Sequence, residues 1–354
     1  MCPYKLFITL EFPGNKQSMI NKLTPDPAQW DNFVLNHPRG YFLQLSAWGE
    51  QKAAYGWSYD RIALMQGDEI VAGAQLLFRP LPMKLGTMAY LPYGGYVTDD
   101  SQWDELLAAI HVCAKKNGAA FLKWEPGFNF DYDLSKWGFS ESPQRIQPPN
   151  TVMLDITGED DAIQARMNTG TRRNIRKAYK NDIHYYEASP ADLNKFTKMM
   201  DITGERNEFG VHESAYYKLM YELFVPEHAA LILADHEGDT LAANLIVSVG
   251  DTAIYLEGAS SNEKRKLMAS YGVQWEAIKW AQKRGCTLYD MWGIPDEDEA
   301  TLEEQFQERS DGLWGVYRFK RGWGGDVVRT IGAWDFVYNQ IIYMAYKTAL
   351  KVRS

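Results

Sequence analysis

The densest chemistry in this sequence lies between Gly312 and Gly325, Gly-Leu-Trp-Gly-Val-Tyr-Arg-Phe-Lys-Arg-Gly-Trp-Gly-Gly, where Arg318, Lys320 and Arg321 crowd into four positions. Val316, Tyr317 and Phe319 favour a strand, and Gly322, Gly324 and Gly325 allow a tight exit in which backbone amides approach a ligand. A strand that delivers Lys320 to a cleft and then turns on glycine suits an anion or a nucleic acid. The same residues also suit a basic edge strand with a flexible loop.

A second cationic cluster is Arg172, Arg173, Arg176, Lys177 and Lys180, five cations within nine residues of a predicted helix. That density fits a phosphate-backbone footprint, and it equally fits a solvated helix face. His212 and Tyr216, four apart, share one face if a helix has begun there, although Tyr216 alone reads as core. Lys52 follows the apolar start of the Phe42 to Trp57 stretch and reads as a solvated lysine on spacing alone.

Composition removes several function classes. Three cysteines, Cys2, Cys113 and Cys286, stand far apart without metal-ligand spacing, which argues for a reducing compartment and against a disulfide framework or zinc site. Six scattered histidines form no His-Glu-x-x-His pair, and no serine sits in a nucleophile elbow. With a net charge of −9 the chain cannot bind nucleic acid as a uniformly basic body, so contact must come from local patches. Met1 to Leu10 is too short for a signal-peptide core or a membrane span, which predicts a cytoplasmic protein with a poorly ordered extension over the first eighteen residues.

The elements that must position these residues recur. A helix over Ala28 to Leu35 precedes strands at Arg61 to Met65 and Ile70 to Phe78, joined by a Gly67 hairpin. A strand at Met88 to Leu91, a helix at Trp103 to Lys116 stopped by Gly118, and a strand at Phe121 to Trp124 follow. About 170 residues later the order returns. Strands at Ala230 to Ala234, Leu241 to Val247 and Ala253 to Glu257 precede a helix over Gly272 to Lys283 and a strand over Leu288 to Trp292. The repeat predicts an α/β protein of two tandem N-acetyltransferase-like domains with mixed sheets and an interdomain cleft, residues 1–155 with 333–354, and 156–332. Pro295 to Asp311 is acidic and reads as a mobile loop or exposed helix. Trp334 to Lys351 reads as a helix with a wide apolar face that packs on the first domain, membrane-surface contact being the alternative.

The chain resembles the Fem-type aminoacyl-tRNA-dependent ligases that extend the side branch of bacterial cell-wall peptide. The carriers are Gln44-Leu-Ser-Ala-Trp-Gly-Glu-Gln-Lys52, Tyr90-Leu-Pro-Tyr-Gly-Gly95, Arg172-Arg-Asn-Ile-Arg-Lys-Ala178, Tyr255-Leu-Glu-Gly-Ala-Ser-Ser261 and Phe319-Lys-Arg-Gly-Trp-Gly-Gly325, in the family's order. The resemblance implies transfer of an amino acid from aminoacyl-tRNA to the third-residue side-chain amine of a UDP-linked or lipid-linked muramyl-pentapeptide, by a monomer using no metal and no acetyl-CoA. It implies a precursor-binding first domain whose Lys52 holds the precursor's diphosphate, Tyr216 and Tyr271 lining the same pocket, and it implies that Glu125 lies near the acceptor amine. His212 stands where a soluble-precursor ligase has arginine, so the phosphate grip must differ. Lys320 is implied at the charged tRNA end, where a fixed ammonium would stabilise the oxyanion of ester aminolysis. Arg172, Arg173, Arg176, Lys177, Arg318 and Arg321 supply the tRNA footprint. No heptad run is long enough for the coiled-coil arm of many members, so the chain resembles compact ones.

Two other readings compete. An acyl-CoA-dependent N-acyltransferase would need a glycine-rich pyrophosphate loop before its helix, and Lys264-Arg-Lys-Leu-Met-Ala-Ser270 carries no glycine. A non-catalytic partner of a ligase would bind the precursor without turnover.

Overall fold

The computed structural model describes residues 25–207 and 210–353. Cys2 and the extension expected over the first eighteen residues lie outside the described residues. In chain order the first elements are α1 (Pro27–Asn36), α2 (Ser46–Ala53), β1 (Ser58–Gln66), β2 (Glu69–Pro80), β3 (Thr87–Pro92), β4 (Tyr96–Val97), α3 (Trp103–Lys116), β5 (Ala119–Glu125) and β6 (Ser140–Glu141). Then come β7 (Asn150–Asp155), α4 (Asp160–Arg166), α5 (Thr169–Lys180), β8 (His184–Glu187), α6 (Leu193–Asn207), α7 (Ser214–Phe224), β9 (Ala229–His236), β10 (Asp239–Val249) and β11 (Thr252–Ser260). The remainder is α8 (Ala269–Lys283), β12 (Leu288–Ile294), α9 (Glu299–Gln305), α10 (Trp314–Lys320), β13 (Asp326–Arg329), β14 (Trp334–Val337) and α11 (Gln340–Arg353). The chain divides into two units, one up to Gln147 together with Thr330–Ser354, the other Pro148–Arg329.

Each unit is a mixed sheet with a crossover helix. In the first, the strands run β1, β2, β3, β5, β14, β6, with β4 also on β2. The β1–β2 hairpin turns at Gly67, whose φ of 63° is cheap only for glycine. Parallel β3 and β5 need a long connection, which α3 supplies, burying Leu106, Ile110 and Ala114 on the sheet. The second sheet runs β13, β7, β12, β11, β10, β9, β8. Its hairpin turns at Glu237 and Gly238, both with positive φ, and α8 is the crossover between parallel β11 and β12. The repeated order read from the sequence is therefore the repeated pairing of the sheets.

One difference between the two crossovers matters for function. Strands β3 and β5 pair along their whole length, Thr87 with Ala119 through Pro92 with Glu125. Among the described residues, β11 and β12 pair only from Thr252 with Leu288 to Ile254 with Asp290, although β11 continues to Ser260 and β12 to Ile294. Past that point the two strands part, and each breaks register with its other neighbour, β11 between Tyr255 and Glu257, β12 between Asp290 and Gly293. Such irregularities re-aim side chains and commonly flank active sites.

Two expectations need correction. The stretch carrying Arg318 and Lys320 is helical, α10, because Trp314, Tyr317 and Lys320 recur every third residue and bury one face, overriding the strand preference of Val316, Tyr317 and Phe319. Trp334 does not begin the last helix. Residues Trp334–Val337 pair with Phe121–Trp124 as β14, and Lys123, fully buried, bonds Asp335 of that strand at 3.0 Å. The acidic stretch contains α9, the helical alternative of the expectation, largely exposed and anchored by the completely buried Leu302.

Candidate active site

Lys320 ends α10 and is 7% exposed. Its Nζ donates to the carbonyl of Gly293 at 2.7 Å and to that of Trp292 at 3.2 Å. Those carbonyls are available because β12 is kinked. The fully buried Asp290 carboxylate accepts the amide of Trp292 at 2.7 Å and the hydroxyl of Thr151, and Trp292 takes a φ of 62° that a bulky residue rarely adopts. The Tyr255 ring on β11 lies 5.8 Å from Nζ, so Lys320 spans the parting of the two strands.

Burial drives the Lys320 ammonium down to about 7, against the pull of Asp290 and Glu257. Burial likewise pushes the Glu257 carboxyl up to about 7, with Lys320 opposing. Two electrostatically coupled groups of opposite charge type thus titrate near neutrality, an arrangement suited to moving a proton while stabilising a negative oxygen. Gly258 makes room for the Tyr255 side chain: a Cβ there would fall 1.7 Å from the Tyr255 hydroxyl.

The glycines after Lys320 do something other than expose amides. A Cβ on Gly324 would come within 2.0 Å of the Arg166 carbonyl, one on Gly325 within 2.4 Å of the Met153 carbonyl, and one on Gly322 within 2.5 Å of the Thr171 hydroxyl. They let the loop lie directly on α4, β7 and the start of α5, which corrects the expectation of a ligand-binding turn. The result joins the Lys320 loop to the basic helix.

On that helix the cations divide. Arg172 donates to the carbonyls of Gln164, Ala165 and Met167 and so closes the end of α4. Arg173, Arg176 and Lys177 are exposed, as is Arg318 on α10. Arg321 is ion-paired with Glu303 and lies 3.9 Å over the Phe306 ring. Tyr271, in the first turn of α8, packs edge-on against Phe319 at 5.1 Å and along Trp323 at 6.1 Å, beside the Lys320 helix. His212 precedes α7, and its exposed ring stacks on buried Tyr216 at 3.8 Å.

The first unit holds the other sequence-derived residues. Lys52 is half-buried near the end of α2, with Nζ 4.3 Å over the Trp48 ring. Burial and then Arg79 bring its ammonium down to about 8. Arg79 is exposed at the end of β2, with its guanidinium 5.6 Å over Trp57. Glu125 ends β5, 4% exposed, and accepts from the Tyr90 hydroxyl, the Ile146 amide at 2.6 Å and the Gln147 amide at 3.1 Å. Its pKa is raised by burial and held back by these donors.

A family model described as the FemAB family matches residues 26–136, 135–239 and 235–351. The chain belongs to the FemAB family. Among relatives, the lipid II:glycine glycyltransferase of Staphylococcus saprophyticus is 28% identical over 391 residues, covering 88% of this chain and 92% of its own. That of Staphylococcus aureus is 27% identical over 396 residues, covering 88% and 92%. Alignments longer than this chain's 354 residues mean that these FemAB relatives carry segments it lacks. The crystal structure of FemX matches with a TM-score of 0.83 at 25% identity, over 92% of this chain and 99% of FemX. A tandem GNAT protein from the clavulanic acid pathway shares the fold, with a TM-score of 0.50 at 12% identity over 80% of this chain and 83% of its own.

Sequence reasoning missed Glu257, Asp290 and Arg79. Asp290 carried a readable signal, a lone carboxylate inside the apolar run Leu288 to Trp292, since a buried charge needs a reason. Glu257 stood within the Tyr255 to Ser261 motif but was not marked out inside it, because its electrostatic coupling to Lys320 arises only where β11 and β12 part.

Proposed function

We propose that this protein transfers an amino acid from aminoacyl-tRNA to the third-residue side-chain amine of a muramyl-pentapeptide precursor. Its class as an aminoacyltransferase of peptidoglycan synthesis rests on FemAB membership and on relatives named lipid II:glycine glycyltransferase, matched over nearly their full length. The observation that carries the chemistry is the Lys320 ammonium held by two carbonyls of a kinked strand, opposite Glu257, where β11 and β12 separate.

In this reading the acceptor nitrogen attacks the ester carbonyl of the charged tRNA. The carbon–nitrogen bond forms, the carbon–oxygen ester bond breaks, and the terminal ribose hydroxyl leaves. Lys320 stabilises the negative oxygen of the tetrahedral intermediate, and the Glu257 carboxylate takes the proton shed by nitrogen and returns it to the leaving oxygen. An ester is already activated, so no nucleophilic side chain is required. Arg173, Arg176, Lys177 and Arg318 meet tRNA phosphates. Lys52, with Arg79 beside it, grips the precursor diphosphate, two cations in the first unit in place of a cation at His212.

The test is direct. Purified protein is incubated with tRNA charged with glycine and, separately, with other amino acids, together with UDP-linked or lipid-linked pentapeptide, and the products are weighed. The expected product is heavier by one aminoacyl residue on the third-position side chain and is absent with acetyl-CoA as donor. Acceptor binding without any mass change would favour a non-catalytic role.

A further inference from the structure

The last helix, α11, has two apolar faces where a surface helix normally has one. Its inner face is fixed to the first sheet: Tyr343 and Tyr346 pack on Phe121 at 5.2 and 4.7 Å, and the Tyr343 hydroxyl donates to Asp335 at 2.8 Å. On the opposite side, Ile341, Met344, Ala345, Thr348 and Val352 follow the 3.6-residue repeat in one stripe. Ile341 is 82% exposed, Met344 62% and Val352 83%. Lys347 and Lys351, both exposed, lie along one edge of that stripe, with Lys347 Nζ 5.1 Å over the Tyr343 ring. A helix of this length cannot cross a bilayer, and among the described residues no helix is long and apolar enough to do so.

We infer that the outward stripe of α11 lies on an anionic lipid surface, its three apolar side chains entering the headgroup boundary and Lys347 and Lys351 meeting lipid phosphates. The position suits such contact. Arg79 acts electrostatically on both Lys52 and Tyr346, so α11 stands beside the cation pair assigned to the precursor diphosphate. On the function proposed above, the diphosphate of a lipid-linked acceptor would reach Lys52 and Arg79 from the surface that α11 touches.

The whole protein is floated with vesicles of phosphatidylglycerol and phosphatidylcholine, and with phosphatidylcholine alone, without substrates. It should associate with the anionic vesicles. The triple variant Ile341→Ser, Met344→Ser, Val352→Ser should lose at least about tenfold in partitioning, and Lys347→Gln with Lys351→Gln roughly fivefold per lysine, only on anionic vesicles. Because Ile341, Met344 and Val352 are largely exposed, the triple variant should keep its melting temperature. Turnover with a soluble UDP-linked acceptor should also be unchanged, so failure of the transferase reading and failure of this one give different results. Equal partitioning of wild type and triple variant, or none by either, overturns the inference. A concentration-dependent dimer that the triple variant abolishes, without vesicle binding, overturns it in favour of a second copy of the chain.

Discussion

Lys320 Nζ lies 2.7 Å from the carbonyl oxygen of Gly293, on the part of β12 that no longer pairs with β11. An ammonium held by backbone rather than by a carboxylate stays open to an anionic ligand, because a carbonyl orients it without pairing it with an opposite charge. Glu257 and Asp290 act on it electrostatically, while the carbonyls of Trp292 and Gly293 accept its hydrogen bonds. The kinked backbone at Trp292 therefore serves the same side chain that closes α10.

Lys320→Ala should slow the chemical step by on the order of 10²- to 10³-fold, the cost of one missing oxyanion donor, while acceptor affinity changes little. Single-turnover kinetics at saturating tRNA and acceptor isolate that step. Near-normal turnover under those conditions would leave Lys320 as a residue that only holds the tRNA end.

The cations of the second unit should separate into two groups. Arg173→Glu and Arg176→Glu should weaken binding of charged tRNA and flatten its salt dependence by roughly one logarithmic unit of slope for each phosphate no longer neutralised. Arg172→Ala and Arg321→Ala should instead lower thermal stability, because their guanidinium groups are used within the protein. Salt titrations alongside melting curves test this, and a uniform loss of tRNA affinity across all four variants without stability change would contradict the division.

The fold was legible because its two sheets repeat hairpin, strand, helix and strand, with Gly67 and Gly238 at corresponding turns and Trp103 and Trp275 on corresponding helices. The site was legible in part. Lys320 stood out by composition, but its strand-forming neighbours concealed a helix whose register depends on burying Trp314 and Tyr317. Glu125 came only from resemblance, and the structure places its carboxylate in a network of three donors. Arg79 is separated from Lys52 by a hairpin arm, so no spacing rule could join them; only the sheet does.

Lys52→Ala and Arg79→Ala should each weaken precursor binding by about 1.5–3 kcal/mol, the range for removal of a charge-assisted hydrogen bond. Calorimetry across pH discriminates their roles. With Lys52 titrating at about 8, affinity should fall as pH rises through that value. Arg79 lowers the Lys52 pKa, so Arg79→Ala should weaken binding yet move the fall to higher pH. An unchanged midpoint would deny the electrostatic link between them.

The last prediction concerns Glu257. If its carboxylate must be ionised and Lys320 protonated, single-turnover rates should peak near pH 7, since Glu257 gains a proton below about 7 and Lys320 loses one above about 7. The two limbs belong to the pair, because each group's charge sets the other's. Glu257→Gln removes the acid limb. It also removes an anion that raises the Lys320 pKa, so the alkaline limb should move to lower pH, and the maximum rate should fall about 10²- to 10⁴-fold, the span for removal of a general base. Affinity for charged tRNA should be retained, which separates proton transfer from simple collapse of the site. Rates corrected for spontaneous ester hydrolysis, measured from about pH 5.5 to 9, provide the comparison. A variant whose profile keeps both limbs in place would show that the proton leaves the acceptor amine by another route, with Glu257 reduced to an electrostatic neighbour of Lys320.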